Sequence, residues 1–198
     1  MLDSQRHLFK GLEKFIGKIF SALPLMPNHY TLASVLFAFG ILYFLIKQSI
    51  LLAIFFLVIA GFLDLVDGAV ARYKNVATKR GAYLDTIVDR YVEGILLLGM
   101  LFLPLPEIFL PAYVWIFLII FGSVMTTYAK AAAKEKNLTD QEMKGGLLSR
   151  GERIILLTTA LILGLFSFVW MAYLLIAVAL LSNLTALQRI NSALKLNL

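Results

Sequence analysis

The sequence predicts an all-α integral membrane protein in which six transmembrane helices follow an interfacial amphipathic helix. Three observations carry that expectation. Of the 198 residues, 61% are hydrophobic and 15% charged, against about a quarter charged in ordinary soluble domains, and mean hydropathy is +0.87. The apolar surplus must therefore face something other than water. Long apolar runs recur with short breaks, which leaves room for about six helices of roughly 20 residues and no separate globular domain. The cations that give the chain its formal charge of +6 fall on one side once six spans are threaded. The absence of cysteine excludes disulfide frameworks, thiolate metal sites and thiol nucleophiles. Two histidines, His7 and His29, are too few for a His-based zinc site.

The first element covers residues 4–23. Leu8, Leu12, Phe15, Ile16, Ile19, Phe20 and Leu23 recur at helical spacing, and Arg6, Lys10, Lys14 and Lys18 share another face. That pattern predicts a basic amphipathic helix lying in the membrane interface. It lacks the uninterrupted apolar core of a signal peptide, so the segment is expected to be retained. Pro24 and Pro27 end it, and Asn28 or Thr31 is expected to cap the next helix. Residues 1–26 thus read as a juxtamembrane helix and 27–198 as the transmembrane domain. Six spans are predicted there, at about 30–47, 50–71, 82–103, 111–133, 147–168 and 170–192. Pro104, Pro106 and Pro111 mark the break between the third and fourth.

Basic residues set the orientation. Arg6 to Lys18 precede span one; Arg72, Lys74, Lys79 and Arg80 separate spans two and three; Lys134, Lys136 and Lys144 separate four and five; Lys195 ends the chain. The opposite side carries Lys47 and Glu107. Both termini, and the charge that attracts phosphorylated substrates, are therefore expected on the cytoplasmic side of the cell membrane. Tyr113, Trp115, Trp170 and Tyr173 near the external ends read as an aromatic belt. No nucleic-acid-binding module is recognisable, and the bilayer accounts for the charge asymmetry.

The chemistry is concentrated in residues 64–90. Asp64 and Asp67 are three apart at the end of one apolar span, and Asp85 and Asp89 four apart at the start of the next, so each pair shares a helix face. Four aspartates at membrane depth would together cost on the order of 10 kcal/mol at the helix centre, less near the interface. Pairing with Arg72, Arg80 and Arg90 as solvated helix-end residues explains less, since two spaced acidic pairs exceed what capping requires. Oxygen ligands without His or Cys suit Mg²⁺ or Mn²⁺. Two such ions about 3.5–4 Å apart could clamp a diphosphate. Gly68, Ala71 and Gly81 are small residues that let a helix or a ligand approach the backbone closely. Glu93 continues the Asp85 and Asp89 face and either supports the metal site or pairs with a basic residue.

The run Asp64-x2-Asp67-Gly68-x2-Ala71-Arg72-x8-Gly81-x3-Asp85-x3-Asp89 resembles, at all eight positions, the signature of the CDP-alcohol phosphotransferase (CDP-alcohol phosphatidyltransferase) family. The six-helix layout with a preceding amphipathic helix is also similar over essentially the whole chain. The resemblance implies transfer of a substituted phosphoryl group from a CDP-linked donor to an alcohol, with release of CMP. It puts Asp64, Asp67, Asp85 and Asp89 around two metal ions and makes Asp89 the general base. It further implies nucleotide contacts from Asp64, Gly68, Ala71, Arg72 and Gly81, with Asn28 and Thr31 as weaker ones, and a homodimer.

Cations also end three later spans: Lys130 after Thr126-Thr127-Tyr128, Arg150 and Arg153 at i, i+3 in GLLSRGER, and Arg189 after Thr185-Ala186-Leu187-Gln188. Converging in a bundle, they would suit an acceptor that already carries phosphate. Taken singly, Lys130 and Arg189 could snorkel to the interface, and Arg150 and Arg153 could pair with Glu152 or lipid phosphates. The pattern also resembles that of phosphatidylinositol-phosphate synthases and, in GLLSRGERIILL, archaetidylinositol phosphate synthases. That likeness implies inositol 1-phosphate as acceptor, with CDP-archaeol or CDP-diacylglycerol as donor. CDP-inositol as donor, giving a di-inositol diphosphate, and glycerol 3-phosphate as acceptor remain open. A divalent-cation transporter would spread its acidic residues through the membrane depth, whereas these cluster at one side.

Overall fold

Proline and polar punctuation sets the helix boundaries. The computed structural model describes residues 10–138 and 146–195, and residues 4–9 of the expected amphipathic helix lie outside them. Helices are the regular elements of the described residues: α1 (Lys10–Phe20), α2 (Pro27–Ile46), α3 (Ile50–Tyr73), α4 (Lys79–Met100), α5 (Ala112–Glu135), α6 (Arg150–Gly164) and α7 (Phe168–Lys195). Pro27 opens α2 as its first residue, where a missing N–H costs nothing and φ is already helical. This corrects the expected caps, since Asn28 and Thr31 both lie inside the helix. The His29 ring closes the end instead, its Nδ1 accepting from the Met26 N–H at 3.0 Å. Thr78 caps α4, accepting from the Gly81 N–H at 3.0 Å, and Ser149 and Glu152 form a reciprocal capping box at α6.

By length and composition α2, α3, α5 and α7 are able to cross a membrane. The six-span expectation exceeds this because two helices depart from the pattern. Helix α4 carries Lys79, Arg80, Asp85, Asp89, Arg90 and Glu93 among its 22 residues, and α6 has 15 residues, about 22 Å against a hydrocarbon core of about 30 Å. Large apolar side chains such as Leu36, Phe55, Phe117 and Leu180 are more than half exposed. Exposed apolar side chains on helices of this length suit a lipid surrounding.

The chain forms two compact units, residues 1–102 and 103–198. In the first, α2 packs on both α3 and α4, and α1 packs on α3. The Phe56 ring of α3 lies against Gly40 of α2, with its centroid 5.6 Å from that of Phe37 and 5.0 Å from that of Phe44. Helix α1 divides its apolar residues between two tasks. Ile16 and Phe20 pack with Tyr30, Val66, Ala69 and Val70, while Leu12, Phe15 and Ile19 remain exposed, as an interfacial helix requires.

In the second unit α7 packs against α5 and α6. Helices α5 and α7 approach closely at Gly122, where a Cβ would stand 2.8 Å from the Asn183 backbone nitrogen and the Ser182 carbonyl carbon. Asn183 fastens the same crossing, its Nδ2 donating to the Leu118 carbonyl at 2.9 Å. Neither backbone can yield locally. Gly122→Val should therefore destabilise the protein by about 1–3 kcal/mol, seen as a lower Tm in detergent. Gly61→Ala, where a Cβ meets open space, should leave Tm unchanged or raised.

Candidate active site

The first unit brings the acidic signature together. Asp64 of α3 and Asp85 and Asp89 of α4 each offer a carboxylate oxygen within 4.8 Å of the other two. Helical spacing aligns the α4 pair, and the short α3–α4 connection returns it alongside α3. Three carboxylates so close repel strongly in an apolar setting unless a cation separates them. Their donor set is oxygen alone, which fits Mg²⁺ or Mn²⁺. Asp67 lies outside this triad. It is buried and accepts from the Thr31 hydroxyl at 2.5 Å, a bond that fixes α2 to α3 beside the cluster. Glu93, 2% exposed, is ion-paired with Arg90 at 2.8 Å, which is the pairing alternative left open by the sequence.

A cavity of about 550 Å³ opens beside the carboxylates, with Asp67 and Asp85 in its wall. Six of the positions expected at the nucleotide line it: Asn28, Thr31, Gly68, Ala71, Arg72 and Gly81. The seventh, Asp64, belongs to the carboxylate triad. The volume is that of a small-molecule site. Its small residues keep it open, since a Cβ at Gly68 would come 3.1 Å from Arg72 Nη2, and one at Gly81 3.4 Å from Asn28 Oδ1. Lys74 and Thr78 also line it, and sequence reasoning missed both. Thr78 was detectable as a cap three residues before Gly81, whereas Lys74 reads as one more loop cation.

The second unit treats its basic residues differently from snorkelling surface cations. Ser123, Thr126 and Lys130 recur at i, i+3 and i+7 and so share one face of α5. Arg153 of α6, 1% exposed, donates from Nη2 to Ser123 Oγ at 2.8 Å, and Arg189 of α7 donates from Nη1 to the Thr126 carbonyl at 3.1 Å. Two cations from different helices thus reach the α5 face that carries Lys130. Arg150 sits one turn before Arg153. The Leu147 and Leu148 N–H groups donate to Gln188 Oε1 and Thr185 Oγ1 at 3.1 and 3.0 Å, which tie the start of α6 to the turn of α7 preceding Arg189. Glu152 accepts from the Ser149 N–H at 2.8 Å, the second half of the capping box. Ser123 and Thr185 were missed as pins because a hydroxyl inside an apolar helix has no distinguishing pattern.

This geometry meets a clear family match. Residues 24–186 fit the family model for CDP-alcohol phosphatidyltransferases, and the chain belongs to that family. It is 32% identical over 197 residues to an archaetidylinositol phosphate synthase of Pyrococcus horikoshii, covering 98% of this chain and 97% of that one. Its fold is similar to that of the phosphatidylinositol phosphate synthase of Mycobacterium tuberculosis. The CDP-DAG-bound structure of that protein superposes with a TM-score of 0.79 at 23% identity, covering 91% of this chain and 92% of that one. The structure with manganese and citrate gives 0.80 at 23% identity over 92% and 88%. The protein is accordingly a membrane phosphotransferase, and its acidic triad has the donor set for Mg²⁺ or Mn²⁺.

Replacing one carboxylate removes a ligand and leaves the apolar packing intact. Asp64→Asn and Asp85→Asn should each weaken Mn²⁺ binding by at least about tenfold, measured by titration calorimetry on the detergent-solubilised protein.

Proposed function

We propose that this enzyme transfers a lipid-phosphate group from CDP-archaeol or CDP-diacylglycerol to inositol 1-phosphate, with release of CMP. The observation that carries the reading is the pairing of an oxygen-only acidic triad with an adjoining cavity lined by the signature's small residues. Asp64, Asp67, Asp85 and Asp89 hold two divalent ions in this reading. Asn28, Thr31, Asp64, Gly68, Ala71, Arg72 and Gly81 contact the nucleotide. The inositol phosphate acceptor is supported by the pinned cations of the second unit and by the name of the Pyrococcus horikoshii relative. A lipid donor is supported by exposed apolar helix faces and by the CDP-DAG in a structure of similar fold.

In the transfer, Asp89 takes the proton of the acceptor hydroxyl. That oxygen attacks the phosphorus distal to cytidine, its new P–O bond forms, and the bond to CMP breaks. Lys130, Arg150, Arg153 and Arg189 bind the acceptor's own phosphate through charge-assisted hydrogen bonds, which excludes acceptors without a phosphate. Divalent ions held by the four aspartates would supply positive charge to neutralise the diphosphate and the departing CMP. We further infer six spans, with α4 and α6 completing the set because helices neighbour them and lipid need not. Both termini and the site would then lie on the cytoplasmic side, where the basic connections fall. Residues 27–198 would act as one transmembrane domain preceded by the juxtamembrane helix, in a homodimer as the family likeness implies.

The test offers purified protein Mg²⁺ and inositol 1-phosphate with CDP-archaeol, CDP-diacylglycerol or CDP-inositol. CMP should be released from a CDP-lipid and require the acceptor; release from CDP-inositol alone would assign a soluble di-inositol product instead. Asp89→Asn should lower kcat by about 10²–10⁴-fold. Arg189→Ala should raise the acceptor KM by at least about tenfold, with the donor KM little changed.

A further inference from the structure

We propose that Glu13 of the amphipathic helix is a positioning residue for Arg72, holding its guanidinium at the donor cavity. The inference rests on the donor-site reading given above. Glu13 Oε2 lies 3.1 Å from Arg72 Nε. The guanidinium is bounded on its other side by Gly68, since a Cβ there would stand 3.1 and 3.2 Å from Nη2 and Nη1. Gly68 and Arg72 both line the cavity. Glu13 therefore engages the Nε edge and leaves the two terminal nitrogens beside the cavity wall, the pair a phosphate would use for bidentate binding.

Helix α1 is placed well enough to act in this way. At Gly17, one turn after Glu13, a Cβ would fall 2.7 Å from the Ala69 carbonyl oxygen and 2.8 Å from Tyr73 Cβ. Both neighbours belong to the turn of α3 that carries Arg72. The close approach fixes the register of α1 on α3, and Ile16 and Phe20 pack on the same surface. Arg72 is more than half exposed, with 55% of its side-chain area accessible against 28% for Glu13. An unassisted arginine so placed would sample many rotamers, and a fixed carboxylate reduces that freedom before the donor arrives. An interfacial helix thereby supplies a polar contact to the site as well as an anchor.

The experiment measures CDP binding by calorimetry and steady-state kinetics with CDP-diacylglycerol and inositol 1-phosphate. Proteins compared are wild type, Glu13→Gln, Glu13→Asp, Arg72→Ala and the double variant Glu13→Gln/Arg72→Ala, with Lys14→Gln as a control on the same helix. Glu13→Gln should raise the Kd for CDP and the donor KM about three- to fivefold, leaving kcat and the acceptor KM near wild type. Glu13→Asp should recover part of the loss, and Glu13→Gln should add nothing in the Arg72→Ala background. Additive losses in the double variant would overturn the proposal, as would a parallel loss of Mn²⁺ binding, which would mark a general disturbance. Weakened CDP binding in a protein that does not use inositol 1-phosphate would sustain the role of Glu13 while removing the proposed acceptor. Normal turnover without any effect of Glu13→Gln would do the reverse.

Discussion

The structure of the first unit is organised by one electrostatic constraint: carboxylates placed in apolar helices must each be answered by a partner. An aspartate near the middle of a bilayer costs about 2.5–3.5 kcal/mol even on the mildest scale. Glu93 is answered by Arg90 one turn before it, and Asp67 by the hydroxyl of Thr31 across the α2–α3 contact. Asp64, Asp85 and Asp89 also converge on one another. A divalent cation bound among them would relieve their mutual repulsion. Placement of α2 follows from the same requirement. By packing on α3 and α4 together, it brings Asn28 and Thr31 to the cavity wall.

Close backbone approach is the second device, and it serves the first. Helices in lipid gain little from apolar contact, because lipid tails solvate leucine as well as another helix does. Small residues instead let dispersion and polar contacts act at short range. Gly17 seats α1 on α3, Gly40 receives the Phe56 ring, and Gly99 of α4 meets Leu45 of α2, where a Cβ would lie 2.6 Å from Leu45 Cδ1. Gly68 and Gly81 belong to the same class, yet the space they leave is turned to the cavity. One residue type thus performs packing away from the site and admits a ligand within it.

The sequence made the acidic signature and most helix boundaries legible because both depend on local spacing. Asp85 and Asp89 share a face by helical geometry, and Pro27 and Pro111 can hardly lie within a helix interior. What escaped depends on contacts between distant segments. Thr31 reads as a cap from its neighbours, and its bond to Asp67, 36 residues away, is invisible until α2 and α3 are packed. Glu13 reads as one acidic residue on a basic helix, and its partner Arg72 lies 59 positions later. The S-x-x-E box at Ser149 was fully local, and Glu152 drew attention as an ion-pair partner for its flanking arginines instead. Six apolar runs were equally visible. Spacing alone does not reveal that α6 is 15 residues long or that α4 begins at Lys79, so that charge occupies its first two thirds.

In the second unit packing distinguishes Arg153 and Arg189 from cations that snorkel to the interface. A snorkelling cation extends along its helix toward water, keeps its head mobile and needs no polar partner from the protein. Arg153 does the opposite. Its side chain is among the largest fully buried ones and is fastened to Ser123, a hydroxyl that would otherwise be an unfavourable choice at a buried position of an apolar helix. Arg189 takes a backbone carbonyl that α5 already uses within its own helix, and Thr185 and Gln188 hold the loop leading into α6. Each pin costs desolvation of polar groups, and none is required to keep a cation at the interface. Together they restrict arginines from two helices to the face of α5 that also presents Lys130. Such restriction lowers the entropy lost when several donors close on one phosphate, and it is of no use to a residue whose task is to meet mobile lipid headgroups.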